Sequence, residues 1–585
     1  MAFKGIYWRG RGLVIPGVYA NINADQMNPN RLSPANTIAL LATCKGGKPQ
    51  TAIRVRSLRE AVAMCRGGDL YTGCELAYDP STDVPGAGDV VLVRVNNAIQ
   101  ATGTISSQLN LVSVDWGEDT NFIRHKIEAA TYAGVKMTIQ HQVDDIQETF
   151  DNLGPMFDIQ YVGSVGYCRM SLNKSAETVT IETSTDNQAW STLVEYSLAN
   201  TNMLLTKNLV TTLDGNPDII CTALGYSDQD LPTALLDTIT HQNIKTAEYT
   251  VTANVGAIYN ALNNYSALLN ATLGVSPIGS VSTYAYVSMT GGTEGAAVTN
   301  NDWINSLATL ENIRDIKGVW VGSDSASIHA AGQQHCDLMS DLKVGKRRRL
   351  FCGGLTADTI AKTVTRAVSL GDARGNLVSP GIMRWNLQTG NLDNLDPVFA
   401  AAIEIGMFGG TDPVTPLTHK TIKVQGLTKY YNDDELETLL DAGVTPLQFV
   451  QEDGIYIIVQ AISTYQKDAN VTYRSLQGGR IADQVADELS ASAKPYIGKA
   501  GDVTDIVSLR NALKSKLDLL TRTNQNPDGC LTNTVIDGKI GPSYENLIIN
   551  YDGLNWAQCT VDCHPVTEID YITIEASFIP ASITV

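Results

Sequence analysis

Histidine is the side chain that most readily moves protons or holds a metal at neutral pH, and this chain has seven. His329 and His335 lie six positions apart in a stretch with helical spacing. That puts them about 240° apart around the helix, so one ion cannot reach both. Neither H-E-x-x-H nor G-x-S-x-G occurs. Cys559, Cys563 and His564, with Cys530 upstream, form the one local cluster of soft ligands. Its C-x3-C-H spacing fits neither a zinc ribbon nor a haem attachment, and ten cysteines scattered over 585 residues make no disulfide framework. Reduced, buried thiols are the expected state.

Phosphate chemistry fares no better. Gly291-Gly292-Thr293-Glu294-Gly295 follows a strand pattern and precedes a helix pattern, where an anion could sit. Yet Glu294 occupies that place and no Lys-Ser or Lys-Thr follows, so a tight turn is expected. Gly345-Lys346 has Ser340 where a P-loop needs glycine, and Arg347 where it needs Ser or Thr. The carboxylates Asp433, Asp434, Glu435 and Glu437 open a helix, where negative charge complements the dipole. The residues thus support no catalytic, cofactor or metal site.

One cationic run stands out: Lys346-Arg347-Arg348-Arg349, with Lys343 before it. The chain as a whole carries 42 basic and 61 acidic side chains, a formal net charge of −19, which argues against nucleic acid as the main partner. The run is expected to be a solvated turn or an ion-pairing surface for an acidic neighbouring subunit.

The elements that must carry these residues come in three textures. Residues 1 to about 105 begin with an extended segment at 13–19, interrupted by Pro16, and end in the apolar run Val90-Val91-Leu92-Val93-Arg94-Val95, a strand buried on both faces. From about 106 to 280 short alternating runs such as Thr178-Val179-Thr180-Ile181 predict a mainly β insertion. From about 281 strands alternate with helices at 303–313, 325–342 and 356–370, the pattern of β-α-β units and a largely parallel sheet. Helices are also predicted at 433–441, 480–492 and 504–520. In the last, Ile506, Leu509, Leu513, Leu517 and Leu520 make one apolar stripe. Residues 546–551 and 556–561 form an antiparallel pair around Asp552-Gly553. The chain closes on a strand whose residues Ile572, Ile574, Ala576 and Phe578 share a face. No apolar run of seven follows the basic residues at 1–19, so no secretory signal is expected, and no stretch is long enough to span a membrane.

Read together, the motifs resemble those of the tail sheath proteins of contractile bacteriophages and related contractile injection systems. The resemblance begins at Ile15-Pro16-Gly17-Val18-Tyr19 and continues in Asp115-Trp116-Gly117-Glu118-Asp119-Thr120-Asn121, similar to the family's W-G-x-x-x-N segment. Further along come Gly291 to Gly295 with Asn301-Asp302-Trp303, then the basic run leading into Gly353-Gly354. Val424-Gln425-Gly426-Leu427, Asp433-Asp434-Glu435 with Ala442-Gly443-Val444, Arg480-Ile481-Ala482-Asp483 and Tyr496-Ile497-Gly498-Lys499 complete the set. The order and spacing of these strings carry the resemblance; residues 184–275 contribute nothing to it.

The resemblance implies a non-enzymatic structural subunit. It would polymerise as stacked hexameric rings around a tail tube, exchange terminal strands between neighbours, and contract from a metastable extended state to drive the tube through the host envelope. The implied partners are other copies, the tube protein, and baseplate and tail terminator proteins, with no nucleic acid and no direct membrane insertion. The implied location is the tail of the virion, after assembly in the host cytoplasm. The expected fold is a multidomain α/β (α+β) chain. Its parts are an N-terminal arm (1–25), a split core with a mixed sheet flanked by helices (26–105 and 281–450), an outward-facing β insertion (106–280), an inner-wall C-terminal domain (451–567) and a C-terminal arm (568–585). The arms place Leu13, Ile15, Val18 and Tyr19 at one end, and Ile572, Ile574 and Phe578 at the other, as strand-exchange residues. Lys346, Arg347, Arg348 and Arg349 are the expected inter-subunit ion-pair patch, and Arg510 and Lys514 the expected tube-facing pair. Two other readings fit the bulk features: a different self-assembling phage or surface-layer protein, or an α/β enzyme with an inserted β domain.

Overall fold

The computed structural model describes residues 36–570 apart from 278, 387–388, 469, 500, 537–538 and 554–555, together with the backbone of Ile6–Trp8 and Arg11–Leu13. Of the expected arm residues, Leu13 ends the Arg11–Leu13 strand, which pairs antiparallel with Ile6–Trp8. Ile15, Val18, Tyr19, Ile572, Ile574 and Phe578 lie outside the described residues.

The centre is an eight-stranded mixed sheet. Its order is Ile455–Ile458, Val444–Val450, Gly375–Ser379, Arg349–Gly353, Ile316–Val321, Thr37–Ala42, Val90–Arg94 and Ala52–Val55. The pair at each edge is antiparallel, and every pair between them is parallel. The sheet is therefore assembled from two distant parts of the chain, joined where Val319 and Trp320 lie against Ala39 and Leu40.

Alternation along these strands sorts side chains into two cores. Ile38, Leu40, Trp320 and Phe351 face one side, where the helices Asp69–Tyr78 and Pro397–Gly410 pack. Ala39, Leu41, Val319, Val321 and Leu350 face the other, beneath Asn300–Thr309, Ala326–Ser340, Ile360–Leu370 and Asp433–Asp441. Each fully buried large apolar side chain contributes about 1.5–3 kcal/mol. Coverage on both faces is what a parallel sheet requires, and it explains why residues 90–93 read as an unbroken apolar run before Arg94.

Between the two parts, antiparallel sheets form over residues 102–288 around two separate cores. Tyr284–Ser288 pairs antiparallel with Ile123–Ala129. It thus closes one of these sheets rather than opening the parallel one, as its position in the 281-onward pattern had suggested. The β texture also hides helices at Thr206–Asp214 and Asn254–Tyr265. After the central sheet, the helices Leu476–Ala493 and Val503–Leu520 pack together and against a hairpin, Tyr544–Tyr551 with Ala557–Cys563. Leu509, Leu513, Leu517 and Leu520 are buried along the predicted stripe, while Ile506 is half-buried.

Candidate assembly surfaces and the junctions behind them

The hairpin is an open strand surface in the described C-terminal region. It turns at Asp552-Gly553, where Gly553 takes φ +77°; Asp552 N donates to Trp556 O at 3.1 Å, and the Asp552 carboxylate accepts from Trp556 N at 3.0 Å. Leu547 and Ile549 press one face onto the Val503–Leu520 helix. Ile548 and Trp556 face solvent, and among the described residues neither strand has a ladder partner on its outer edge. Unpaired N–H and C=O groups on such an edge are a template for an added strand. Arg510 and Lys514 are exposed on the same helix.

The basic run is not such a surface. Arg348 is fully buried, and its guanidinium donates to Leu310 O and His335 Nε2, each at 2.8 Å, and to Ile313 O. Burial lowers the pKa of His335 to about 4, which keeps the ring neutral and able to accept. Arg349, also buried, donates to Ala373 O at 2.7 Å and lies 3.3 Å from Asp483. Arg347 pairs with Asp487, and Lys346 donates to Glu311 O. The expectation of a patch at Lys346–Arg349 for a neighbouring subunit is therefore corrected. The acidic partners sit in the same chain, on the Leu476–Ala493 helix.

The reason lies in the topology. Lys317, Arg347, Arg349 and Arg374 all stand at the N-terminal ends of parallel strands, so they converge along one border of the sheet. Asp483 and Asp487 are four apart and share a helix face toward that border. Arg374 grips Asp483 with two bonds, at 2.8 and 3.1 Å, and Lys317 joins Arg347 on Asp487. The surrounding cations, Arg349 first, hold the Asp483 carboxyl below its ordinary range despite burial. One turn earlier, Arg480 lies over the Phe408 ring, 4.5 Å from its centroid, and donates to Phe408 O and Thr411 O. These carbonyls end the Pro397–Gly410 helix, where the dipole favours a cation. Burial draws the Arg480 pKa down to about 9, which leaves it charged at neutral pH.

A second junction joins the β insertion to the core. Arg94, 1% exposed at the end of its strand, pairs with Glu294 and donates to Gly47 O at 3.0 Å and Trp116 O at 3.1 Å. The second Glu294 oxygen accepts from Glu118 N at 3.1 Å. Asn121 then exchanges two bonds with the backbone of Gly292, at 2.8 and 2.9 Å. The outgoing W-G segment and the returning G-G-T-E-G loop are thus bonded face to face. A Cβ at Gly292 would meet Gly117 O at 2.5 Å, which accounts for the glycine there. The Glu294 carboxylate that spoiled a phosphate site is the partner of a buried arginine 200 positions away.

Beside this junction Asp119, His141 and Asp144 bring ligand atoms together in a geometry open to a cation. Arg66 occupies it, 2.5 Å from Asp119 and 2.8 Å from Asp144, with Asp115 at 3.0 Å from its Nε. The cluster is a salt-bridge node rather than a metal centre. Cys559 is exposed, Cys563 half-buried, and both are free thiols. His329 donates to or accepts from nothing catalytic; its Nε2 lies 2.6 Å from Ser323 O, so it is the donor to that carbonyl.

Sequence reasoning named Arg480 and Asp483 only as a string and missed Arg66, Arg94, Arg374 and Asp487. The 480–483–487 spacing, one helix face with alternating charge, was the available signal for the clamp. Nothing local signalled Arg94.

No protein-family model matches the chain. The tail sheath protein of Bacillus phage SP01 is 26% identical over 585 residues, spanning 98% of this chain and 97% of its own length. A protein assigned to the tail sheath of Enterococcus phage phiEF24C is 27% identical over 525 residues, 88% of this chain and 90% of its own. The chain is a homologue of phage tail sheath proteins. The fold of this sheath homologue agrees: the sheath tail protein of Listeria innocua aligns with a TM-score of 0.51 at 13% identity, covering 86% of this chain and 87% of that one.

Proposed function

We propose that this chain is the structural subunit of a contractile phage tail sheath, with no enzymatic role. Copies stack as hexameric rings into a helical polymer around a tail tube, linked by exchanged terminal strands. The polymer shortens from a metastable extended state and drives the tube through the host envelope. It belongs to the virion tail, is assembled in the host cytoplasm, and meets baseplate and terminator proteins at its ends. The relation to named sheath proteins over nearly the whole chain carries the reading. The open hairpin edges support the strand-exchange step, because they offer a pairing site to the arms at 1–25 and 568–585. A subunit already held elsewhere in the lattice presents its arm at high effective concentration, so a short strand suffices. Arg510 and Lys514 are the groups offered to acidic side chains on the tube, and the 106–280 insertion faces outward.

Removing residues 569–585 tests the reading. The truncated subunit should keep the circular dichroism and melting of the full chain and form no hollow cylinders by electron microscopy. Normal cylinders from the truncation would sink strand exchange. Discrete small particles from the intact chain, under conditions that polymerise its relatives, would sink the sheath reading itself.

A further inference from the structure

The β insertion carries a further feature, on other elements than the hairpin and the basic border of the sheet. A cleft of about 270 Å³ opens between its two cores, where the Ile146–Leu153 strand, the 224–231 loop and the Asn254–Tyr265 helix meet. Tyr226 and Tyr265 line it, and Tyr132 backs Tyr226. Tyr132, 75% exposed, stacks on Tyr226 with ring centroids 5.5 Å apart and planes within 19°. Tyr265, 60% exposed, sets its hydroxyl 3.3 Å from Asp228. Large aromatic faces held in water cost free energy that a soluble surface ordinarily avoids.

The backbone here is shaped as well. The Ile146–Leu153 strand breaks register against Val135–His141 between Phe150 and Leu153, and Asn152 takes φ +56°. Such bulges re-aim side chains beside sites. This one turns Asp151 and Asn152 to the cleft, where they fix the Tyr132 loop: Asn152 Oδ1 accepts from Tyr132 N at 2.8 Å, and Asp151 accepts from Thr131 N at 3.1 Å. Asn260 holds Asp228 from the other side at 2.9 Å. The tyrosines are thus mounted on hydrogen-bonded supports, not carried on loose loops.

From this arrangement we infer that the cleft binds a neutral saccharide. A sugar ring presents a flat C–H face that packs on an aromatic face, and hydroxyls at its rim that exchange hydrogen bonds with carboxylate and amide groups. Asp151, Asp228 and Asn152 supply those groups around Tyr226 and Tyr265. The two carboxylates disfavour an anionic polymer. The volume, at the small end for ligand sites, suits one or two sugar rings and is too confined for a protein surface. The inference stands apart from the sheath reading, since neither needs the other.

The full-length protein is titrated with N,N′-diacetylchitobiose, maltose and galactose, followed by intrinsic fluorescence and saturation-transfer NMR. At least one sugar binds saturably. Tyr226→Ala and Tyr132→Ala each weaken it about tenfold or more. Tyr473→Ala, on a distant surface, leaves it unchanged. Tyr132 is so exposed that its variant folds normally, which melting verifies. Absence of saturable binding for all three sugars overturns the inference, as does binding that both cleft variants leave intact. Loss of self-association in Tyr132→Ala without sugar binding also overturns it, and reassigns the tyrosines to a protein partner.

Discussion

A carboxylate taken out of water with no cation beside it strongly favours its neutral form. Glu404 is in that position, 1% exposed in the Pro397–Gly410 helix, with Thr445 Oγ1 3.4 Å from one oxygen and no partner for the other among the described residues. Burial pushes its carboxyl up from 4.5 to about 8. The sign follows from linkage. Below pH 4.5 folded and unfolded chains both hold the proton, and the group is neutral in its effect. Between 4.5 and 8 only the folded chain keeps it, so stability falls as pH rises, and above 8 the loss is constant. Glu404→Gln removes this dependence and should stabilise the subunit at pH 7 by about 3 kcal/mol. Melting curves at pH 5 and pH 8 check it: the wild type loses stability relative to the variant across that range, and parallel profiles would refute the burial argument. Arginine behaves oppositely. Arg94, Arg348 and Arg480 are buried yet charged, because the planar fork reaches several carbonyls at once. This burial was illegible in the sequence, since Arg and Glu are surface residues in most contexts and the partners here, Asn96 beside Arg94 apart, lie 13 to 200 positions away.

Elements were more legible than residues, for a physical reason. The Asp433–Asp441 helix matches its predicted bounds because its start is written locally: Asn432 caps Glu435 N at 2.9 Å and Glu435 returns to Asn432 N at 3.0 Å. The Val503–Leu520 helix followed from its apolar period. The Pro397–Gly410 helix is absent from the predicted elements, because burial on nearly every side erases the period that marks amphipathic helices. Asp69–Tyr78 escaped for the same reason. What local pattern cannot supply is pairing between elements, and the basic run failed there: its type suggested a surface, while strand order set it against Asp483 and Asp487. Asp483→Asn tests that clamp. It leaves Arg374 and Arg349 without their carboxylate, which for a buried pair costs about 3–5 kcal/mol. The loss should concentrate in the Leu476–Ala493 helix and the hairpin behind it. Hydrogen exchange would read faster opening there than in the central sheet; equal change throughout would mean that the clamp does not join separable units. The wild-type contribution of Asp483 is present above its usual range near 3.8 and lost as pH falls below its depressed folded value.

At the scale of the molecule, a formal charge of −19 and the internal use of cations combine. Lys317, Arg347, Arg348, Arg349, Arg374, Arg66 and Arg94 are all engaged inside the subunit. The surface that copies present to one another is therefore more acidic than a patch at Lys346–Arg349 would have made it. Like-charged subunits repel over a Debye length, and salt shortens that length from about 20 Å near 0.02 M to about 8 Å at 0.15 M. Strand pairing acts through backbone hydrogen bonds and apolar contact at short range, which salt leaves intact. If assembly is limited by that repulsion, raising NaCl from about 0.02 to about 0.15 M should lower the protein concentration at which polymer forms and speed its growth. Sedimentation and light scattering of the full chain measure both. A threshold that rises with salt would mean instead that attractive ion pairs between copies hold the lattice together. The D483N subunit is the internal control, because its altered charge is buried in the clamp: it should lose stability while its polymerisation keeps the same response to salt.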